Sequence, residues 1–279
     1  MKKTERIIRA GLCVSMLVML LLCVTGCKKE TYDFPEDLAA QLPQTTNYNV
    51  HKFVIGDITA YIPVVRWNLN GEELFMLIDT GAQTNGLYKN GIKKALPGYQ
   101  ITDILKENKY EFYVRLEDNE YCLDPYGIYM TEEDILDGWL GQTWLTKYNN
   151  FVFDYVNNRI DYNQPPITDY DIPMNYNGHM KGQYCIPFTF NGKEMYGTID
   201  TGSFGTFVSL GIIGEEKKED GLYTVHDFGI GNVHYETMEI TSGEDQTKWA
   251  FKVDNILGYP CFKDHVIQLD FKNNVFRIK

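Results

Sequence analysis

Beyond residue 47 the chain reads as short runs of β-branched and aromatic residues separated by Gly, Asn, Asp and Pro, among them "AYIPVVRWNLNG", "LFMLIDTG", "YEFYVRLEDNEYCL" and "NFVFDYVNNRIDY". Such runs suit pleated, half-buried surfaces, so the pattern predicts an all-β protein. Twenty tyrosines and fifteen phenylalanines fit the same surfaces. Two asparagine pairs, Asn157-Asn158 and Asn273-Asn274, stand between β-forming flanks and predict tight hairpin turns. One run ends differently. In "LFMLIDTGAQTNGLY", residues 74 to 88, five apolar residues lead straight into a carboxylate, Asp79. A charge at the end of a buried strand is costly unless something compensates it.

The pattern also repeats. "IPVVRWNLNGEELFMLIDTGA" returns as "IPFTFNGKEMYGTIDTGS", with Asp79 and Asp200 in matching places, 121 residues apart. "GWLGQTWLTKYNNFVFDYVNNRIDY" returns as "NILGYPCFKDHVIQLDFKNNVFRIK", where Gly141 matches Gly258 at a spacing of 117. Two copies are too few for a solenoid and predict a pair of pseudo-twofold-related lobes. The expected boundaries are an N-terminal lobe over 48–163, a connector over 164–176 and a C-terminal lobe over 177–279. The connector falls on the proline-containing passage "YNQPPITDYDIP" at 162–173. The final strand, "VFRIK", is expected to pair into the sheet, so that truncation there unfolds the lobe.

A lone Asp-Thr-Gly is weak, because it is also a plausible turn. Here Asp79-Thr80-Gly81 and Asp200-Thr201-Gly202 each follow an apolar strand. Each is followed about sixty residues later by two apolar residues and a glycine, Trp139-Leu140-Gly141 and Ile256-Leu257-Gly258. Two carboxylates brought to about 3 Å cannot both stay ionised and titrate as a coupled pair. The ionised member can deprotonate a water while the protonated one polarises a carbonyl. The glycines allow close backbone approach, and the threonines can hydrogen-bond across the pair.

These paired motifs resemble the pepsin and retropepsin superfamily of aspartic peptidases over most of residues 50–279, with short lobes closer to two retropepsin-like units joined in one chain. The resemblance implies a bilobal acid-protease fold and an aspartic endopeptidase with catalytic Asp79 and Asp200. Thr80, Gly81, Ala82, Thr201, Gly202 and Ser203 would support the dyad, and Gly141 and Gly258 would be structural. It implies a peptide or protein substrate, no cofactor and no metal, and a monomer, since one chain supplies both lobes. The alternative of another class is a catalytically inactive peptidase fold that binds peptides, proteins or glycans.

Finer expectations follow from the residues around the motifs. Ser203 is expected to hydrogen-bond the outer oxygen of Asp200 and favour its ionised form, which Ala82 cannot do for Asp79. Members of the family with alanine at this place tend to work nearer neutral pH than those with serine in both lobes, so the resemblance implies a moderately acid to near-neutral optimum. Retroviral relatives carry an acid after Asp-Thr-Gly-Ala and an arginine after the later glycine. This chain has Gln83 with Gln142, and Phe204 with Tyr259. Both partners have changed together, as a buried ion pair can without loss. Flaps over the cleft are expected near 91–110 and 213–224, whereas "FGIGNVHY" at 228–235 matches "VRLEDNEY" at 114–121.

The amino terminus adds a location. Lys2, Lys3, Arg6 and Arg9 precede an apolar run from Leu12 to Val24 and then "VTGC". Charged start, apolar core and small residues before a cysteine form a secretory leader, residues 1–26, too short for an ordinary membrane span. "VTGC" resembles the bacterial lipobox, which implies lipidation of Cys27, a tether over 27–47 and attachment to the cell envelope, at the outer membrane. Removing the leader takes away four basic residues and one acid, so the net charge goes from −12 to −15. That acidity argues against nucleic acid and against electrostatic attraction to anionic lipid. With Cys27 modified, Cys122, Cys185 and Cys261 remain, enough for at most one internal disulfide.

Overall fold

The computed structural model describes residues 49–55, 58–98, 113–117, 119–124, 136–175, 183–209, 222–243 and 255–279. The leader at 1–26, the tether at 27–47 with Cys27, and the flap stretches 99–110 and 213–221 lie outside the described residues.

The first half forms a seven-stranded sheet. Its strands are β1 (Asn49–Ile55), β2 (Ile58–Leu69), β3 (Glu72–Ile78), β4 (Asn85–Tyr88), β5 (Tyr113–Leu116), β6 (Asn119–Asp124) and β7 (Gly138–Leu140). Their spatial order is β1-β2-β3-β7-β4-β6-β5. Helix α1 (Lys89–Ala95) follows β4. It occupies the start of the first expected flap: Ile92 and Ala95 are buried in the core, so this stretch is a helix and not a hairpin. Helix α2 (Gln142–Leu145) follows β7 and leads to β8 (Asn150–Asp154) and β9 (Arg159–Tyr162).

After β10 (Ile172–Pro173) the second half forms a closed barrel. Its strands are β11 (Cys185–Phe190), β12 (Lys193–Ile199), β13 (Phe207–Ser209), β14 (Leu222–Ile230), β15 (Val233–Gly243) and β16 (Asn255–Leu257), ordered β11-β12-β16-β13-β15-β14. Helix α3 (Tyr259–Phe262), β17 (Val266–Asp270) and β18 (Val275–Ile278) end the chain.

Apart from β1, the two orders are one order. β3 runs parallel to β7 with Ile78 opposite Leu140, and β12 runs parallel to β16 with Ile199 opposite Leu257. The hairpins β5–β6 and β14–β15 also correspond, as "VRLEDNEY" and "FGIGNVHY" do in sequence. The all-β expectation is met: only short helices interrupt the strands among the described residues.

The copies meet in a third sheet, β10-β18-β17-β8-β9, built from both. β8 and β17 pair antiparallel at its centre with Val152 opposite Gln268. The asparagine turns repeat atom for atom. Asp154 accepts from the Asn157 N–H and side-chain amide at 2.9 and 2.8 Å, and Asp270 from those of Asn273 at 3.1 and 2.8 Å. Asn158 and Asn274 follow at φ 53° and 54°, the left-handed region that asparagine tolerates. The proline-containing passage is more than a spacer, because Ile172 and Pro173 pair with Phe276 and Val275 and cover the edge of the terminal strand.

These layers explain the apolar run before Asp79. Leu74, Met76 and Ile78 face the main core, while Leu77, on the opposite face, joins a second cluster with Ile62, Val64, Ala82 and Trp139. A strand covered on both faces reads as a continuous apolar run. Cys122, Cys185 and Cys261 are buried and none is in a disulfide among the described residues. Cys185 lies against the Thr198 hydroxyl, and Cys261 against that of Thr206, with its own ionisation pushed up to about 12 by burial.

Candidate active site

β3 and β12 deliver Asp79 and Asp200 from the two halves to one place. The Asp79 N–H donates to the Leu140 carbonyl and the Asp200 N–H to that of Leu257, both at 3.0 Å, so each aspartate is fixed at the mouth of its parallel strand pair. A Cβ added at Gly81 would stand 2.6 Å from Cγ of Asp200, and one at Gly202 would stand 2.8 Å from Cγ of Asp79. Any side chain at either glycine would push the carboxylates apart.

The threonines cross between the halves. The Thr80 hydroxyl donates to the Ile199 carbonyl at 2.8 Å and accepts the Thr201 N–H at 3.0 Å. The Thr201 hydroxyl donates to the Ile78 carbonyl at 2.7 Å and accepts the Thr80 N–H at 3.2 Å. All four bonds join one copy to the other, and both side chains are fully buried.

Gly141 and Gly258 lie beneath the loops. Their N–H groups donate to Asn85 Oδ1 at 3.0 Å and Thr206 Oγ1 at 3.3 Å. The N–H groups of the following residues, Gln142 and Tyr259, hold the Ala82 and Ser203 carbonyls at 2.9 and 3.0 Å.

The two carboxyls have unequal surroundings. Asp79 keeps some exposure, whereas Asp200 is buried. Asp79 Oδ1 accepts N–H bonds from Gly81 and Ala82, both 2.9 Å, and Asp200 Oδ1 accepts one from Gly202 at 3.0 Å. Burial raises the Asp79 pKa, and the Ala82 and Gly81 N–H groups oppose that rise. Asp200 is held well above the usual carboxylate range by burial and by the charge of Asp79. Asp200 Oδ2 is buried with no partner among the described residues. Two ionised carboxylates are both acceptors; a single proton between them supplies the missing donor. Behind Asp200, the buried Tyr155 hydroxyl also has no partner among the described residues, and burial and the Asp200 charge keep its phenol protonated.

Ser203 corrects an expectation. Its hydroxyl donates to the Gly205 carbonyl at 2.8 Å, so the side chain is committed within its own loop and its backbone N–H is what faces Asp200. Serine hydroxyls readily bond to backbone groups of their own turn, and here the Gly205 carbonyl is the acceptor.

The changed support pairs also take their own forms. Gln142 Nε2 donates to the Thr80 carbonyl at 2.9 Å. Tyr259 packs its ring near Tyr61 and Tyr155, 5.9 and 6.1 Å between centroids, and Phe204 packs on the cluster that contains Ala82 and Ile62. Trp139 and Trp144 are both buried in packing. One contact has no counterpart in the sequence reading: Gln183, before β11, donates to the Gly81 carbonyl at 2.5 Å while its Oε1 accepts the Thr198 hydroxyl at 3.2 Å. It lies upstream of the repeated segment and carries no motif, so only the three-dimensional path of the chain reveals it.

Among the described residues there is no group of three or more His, Cys, Asp or Glu side chains arranged to hold a metal ion. No protein-family model matches the chain, and comparison with curated proteins finds no match either.

Proposed function

We propose that this protein is an aspartic endopeptidase of the pepsin and retropepsin type, with the bilobal acid-protease fold, hydrolysing peptide bonds with water activated between Asp79 and Asp200. The observation that carries the reading is the opposed pair of carboxyls, one from each copy, tied by reciprocal threonine bonds. The common strand order of the two halves supports it.

In this reading the ionised aspartate takes a proton from water as the oxygen attacks the scissile carbonyl, and the protonated one donates to the carbonyl oxygen. Collapse of the tetrahedral intermediate hands a proton to the leaving amine and regenerates one shared proton. The residues that orient this chemistry are Thr80, Gly81, Ala82, Thr201, Gly202 and Ser203. Because Asp200 is held above the usual carboxylate range, the protonated form persists into mildly acid solution, in keeping with a moderately acid to near-neutral optimum. Lipidation at Cys27 would hold the mature chain at the cell envelope, with a peptide or protein substrate reaching it there.

The test is cleavage-site profiling of a peptide library with the purified protein, beside Asp79→Asn and Asp200→Asn and with a pepstatin-like inhibitor. Defined cleavage lost in both variants and blocked by the inhibitor supports the reading. Peptides bound equally by wild type and both variants, with none cut, would establish a binding module instead.

A further inference from the structure

Two hydrogen-bond chains end on the same oxygen. Gln142 donates to the carbonyl of Thr80, and the N–H of that same peptide unit, on Gly81, donates to Asp79 Oδ1. Gln183 donates to the carbonyl of Gly81, and the N–H of that peptide unit, on Ala82, donates to Asp79 Oδ1 as well. A peptide whose carbonyl accepts a hydrogen bond becomes a stronger N–H donor, since bonds in series polarise one another. Both glutamines are almost fully buried, at 3 % and 2 % exposure, where such polarisation is least screened. They come from different copies, Gln142 from α2 and Gln183 from the segment before β11.

The second motif lacks this arrangement. At Asp200 the Gly202 N–H donates to Oδ1 at 3.0 Å and the Ser203 N–H faces the same carboxyl, but among the described residues no side-chain amide is bonded to the carbonyls of those two peptide units. The residue matching Gln142 is Tyr259, whose side chain packs among rings. By strand register, with Val64 opposite Leu77 and Cys185 opposite Thr198, the position matching Gln183 is Ile62, three residues out of step with the sequence repeat, and Ile62 is an apolar member of the cluster that holds Ala82 and Phe204.

We propose that Gln142 and Gln183 are positioning residues that act as two amide relays and keep the negative charge of the dyad on Asp79, leaving the shared proton on Asp200. The inference rests on the peptidase reading for its catalytic meaning, with Asp79 as base and Asp200 as acid, but the charge placement stands apart from turnover. Among the described residues the titratable group facing Asp79 is Asp200 across the dyad, with the Tyr155 phenol against Asp200. That phenol stays protonated through the range in which carboxyls titrate.

The experiment reads the carboxyls themselves. The intact protein is labelled with ¹³C at aspartate carboxyl carbons and titrated by NMR as Asp79→Asn and as Asp200→Asn, so that each aspartate is seen without its coupled partner. Gln142→Met and Gln183→Met are then added to the Asp200→Asn chain. The expected result is that Asp79 alone titrates below Asp200 alone, and that each methionine moves the Asp79 titration upward. The reverse order of the two aspartates overturns the proposal. So does an Asp79 titration unmoved by methionine in variants that melt as cooperatively as their parent. If a methionine variant does not fold, the order of the two single aspartates still decides. Cleavage of no peptide by the wild-type chain, with the titrations as stated, would count against the peptidase reading alone.

Discussion

The two copies share a strand order yet differ in how they are finished. The second closes into a barrel, because β11 pairs with β14 through Thr189 opposite Gly229 and Phe190 opposite Phe228. In the first, β1 pairs with the start of β2, Ile58–Val64, over seven residue pairs, and among the described residues no pairing of β2 with β5 closes the sheet. The same contrast reaches the site: amides brace the first motif loop, and apolar and aromatic packing braces the second. The difference teaches that the backbone symmetry sets where the aspartates stand, while side chains that broke the symmetry give the two carboxyls unequal surroundings.

The largest effects should come where the copies are interlocked. Thr80→Val or Thr201→Val leaves a buried N–H and a buried carbonyl unpaired, at about 1–3 kcal/mol for each group. Urea unfolding should show each variant losing about 2–6 kcal/mol, since each hydroxyl makes its own two of the four bonds. Equal costs for the two singles would confirm that this feature, unlike the loops around it, kept its symmetry.

Next come two arginines at opposite ends of the shared sheet. Arg277 is buried and bonds Asp171 at 2.6 Å, Gln268 at 3.1 Å and Asp270 at 3.2 Å; Arg159 is exposed beside Asp161 at 2.8 Å. Arg277→Met should cost roughly 3–5 kcal/mol by stranding the buried Asp270 carboxylate. Arg159→Met should cost less than about 1 kcal/mol. Comparable losses in thermal unfolding would show that the two ends are equivalent after all.

Gly81→Ala and Gly202→Ala separate geometry from folding. Each methyl meets the opposite carboxyl, and on the peptidase reading each lowers kcat/KM at least about 100-fold through misplaced reacting groups. Gly81→Ala should be the worse of the two, since its clash at 2.6 Å is the closer.

The smallest effect is a gain. Both aspartates have folded-state pKa values raised above the usual carboxylate value. The folded chain therefore holds protons that the unfolded chain has released. That stability is complete at pH below the ordinary carboxylate range and is lost as pH rises through the raised values. Asp200→Asn removes the larger of the two penalties, so it should melt roughly 2–4 °C above wild type at neutral pH, with the gap closing in acid. A gap independent of pH would mean that Asp200 carries no such penalty.

Much of this was legible in the chain. The repeat foretold matching strand orders because each copy must bury the same apolar positions, and "DYVNNRIDY" and "DFKNNVFRI" foretold turns that prove superimposable in their bonds. The paired Asp-Thr-Gly motifs foretold the meeting of Asp79 and Asp200. What escaped depends on contacts no local pattern records. Ser203 chose a carbonyl two residues away over the carboxylate. Residues 91–95 are helical because Ile92 and Ala95 pack on the core, which the mixed polar sequence "GIKKA" does not announce. Gln183 reaches the first motif loop through Gly81, 102 residues earlier.

The shared sheet has one more consequence. The β8–β17 pair, antiparallel about Val152 and Gln268, has the form of a self-complementary dimer contact, in which two identical half-length chains would each offer the same strand. Joining them in one chain replaces association at cellular concentration by an effective concentration in the millimolar range. Assembly then no longer depends on how much protein is made. The covalent link also gives each half its own gene sequence, so Tyr155 can stand where its mate is Phe271, and Gln142 where its mate is Tyr259, choices that a true homodimer must make twice or not at all.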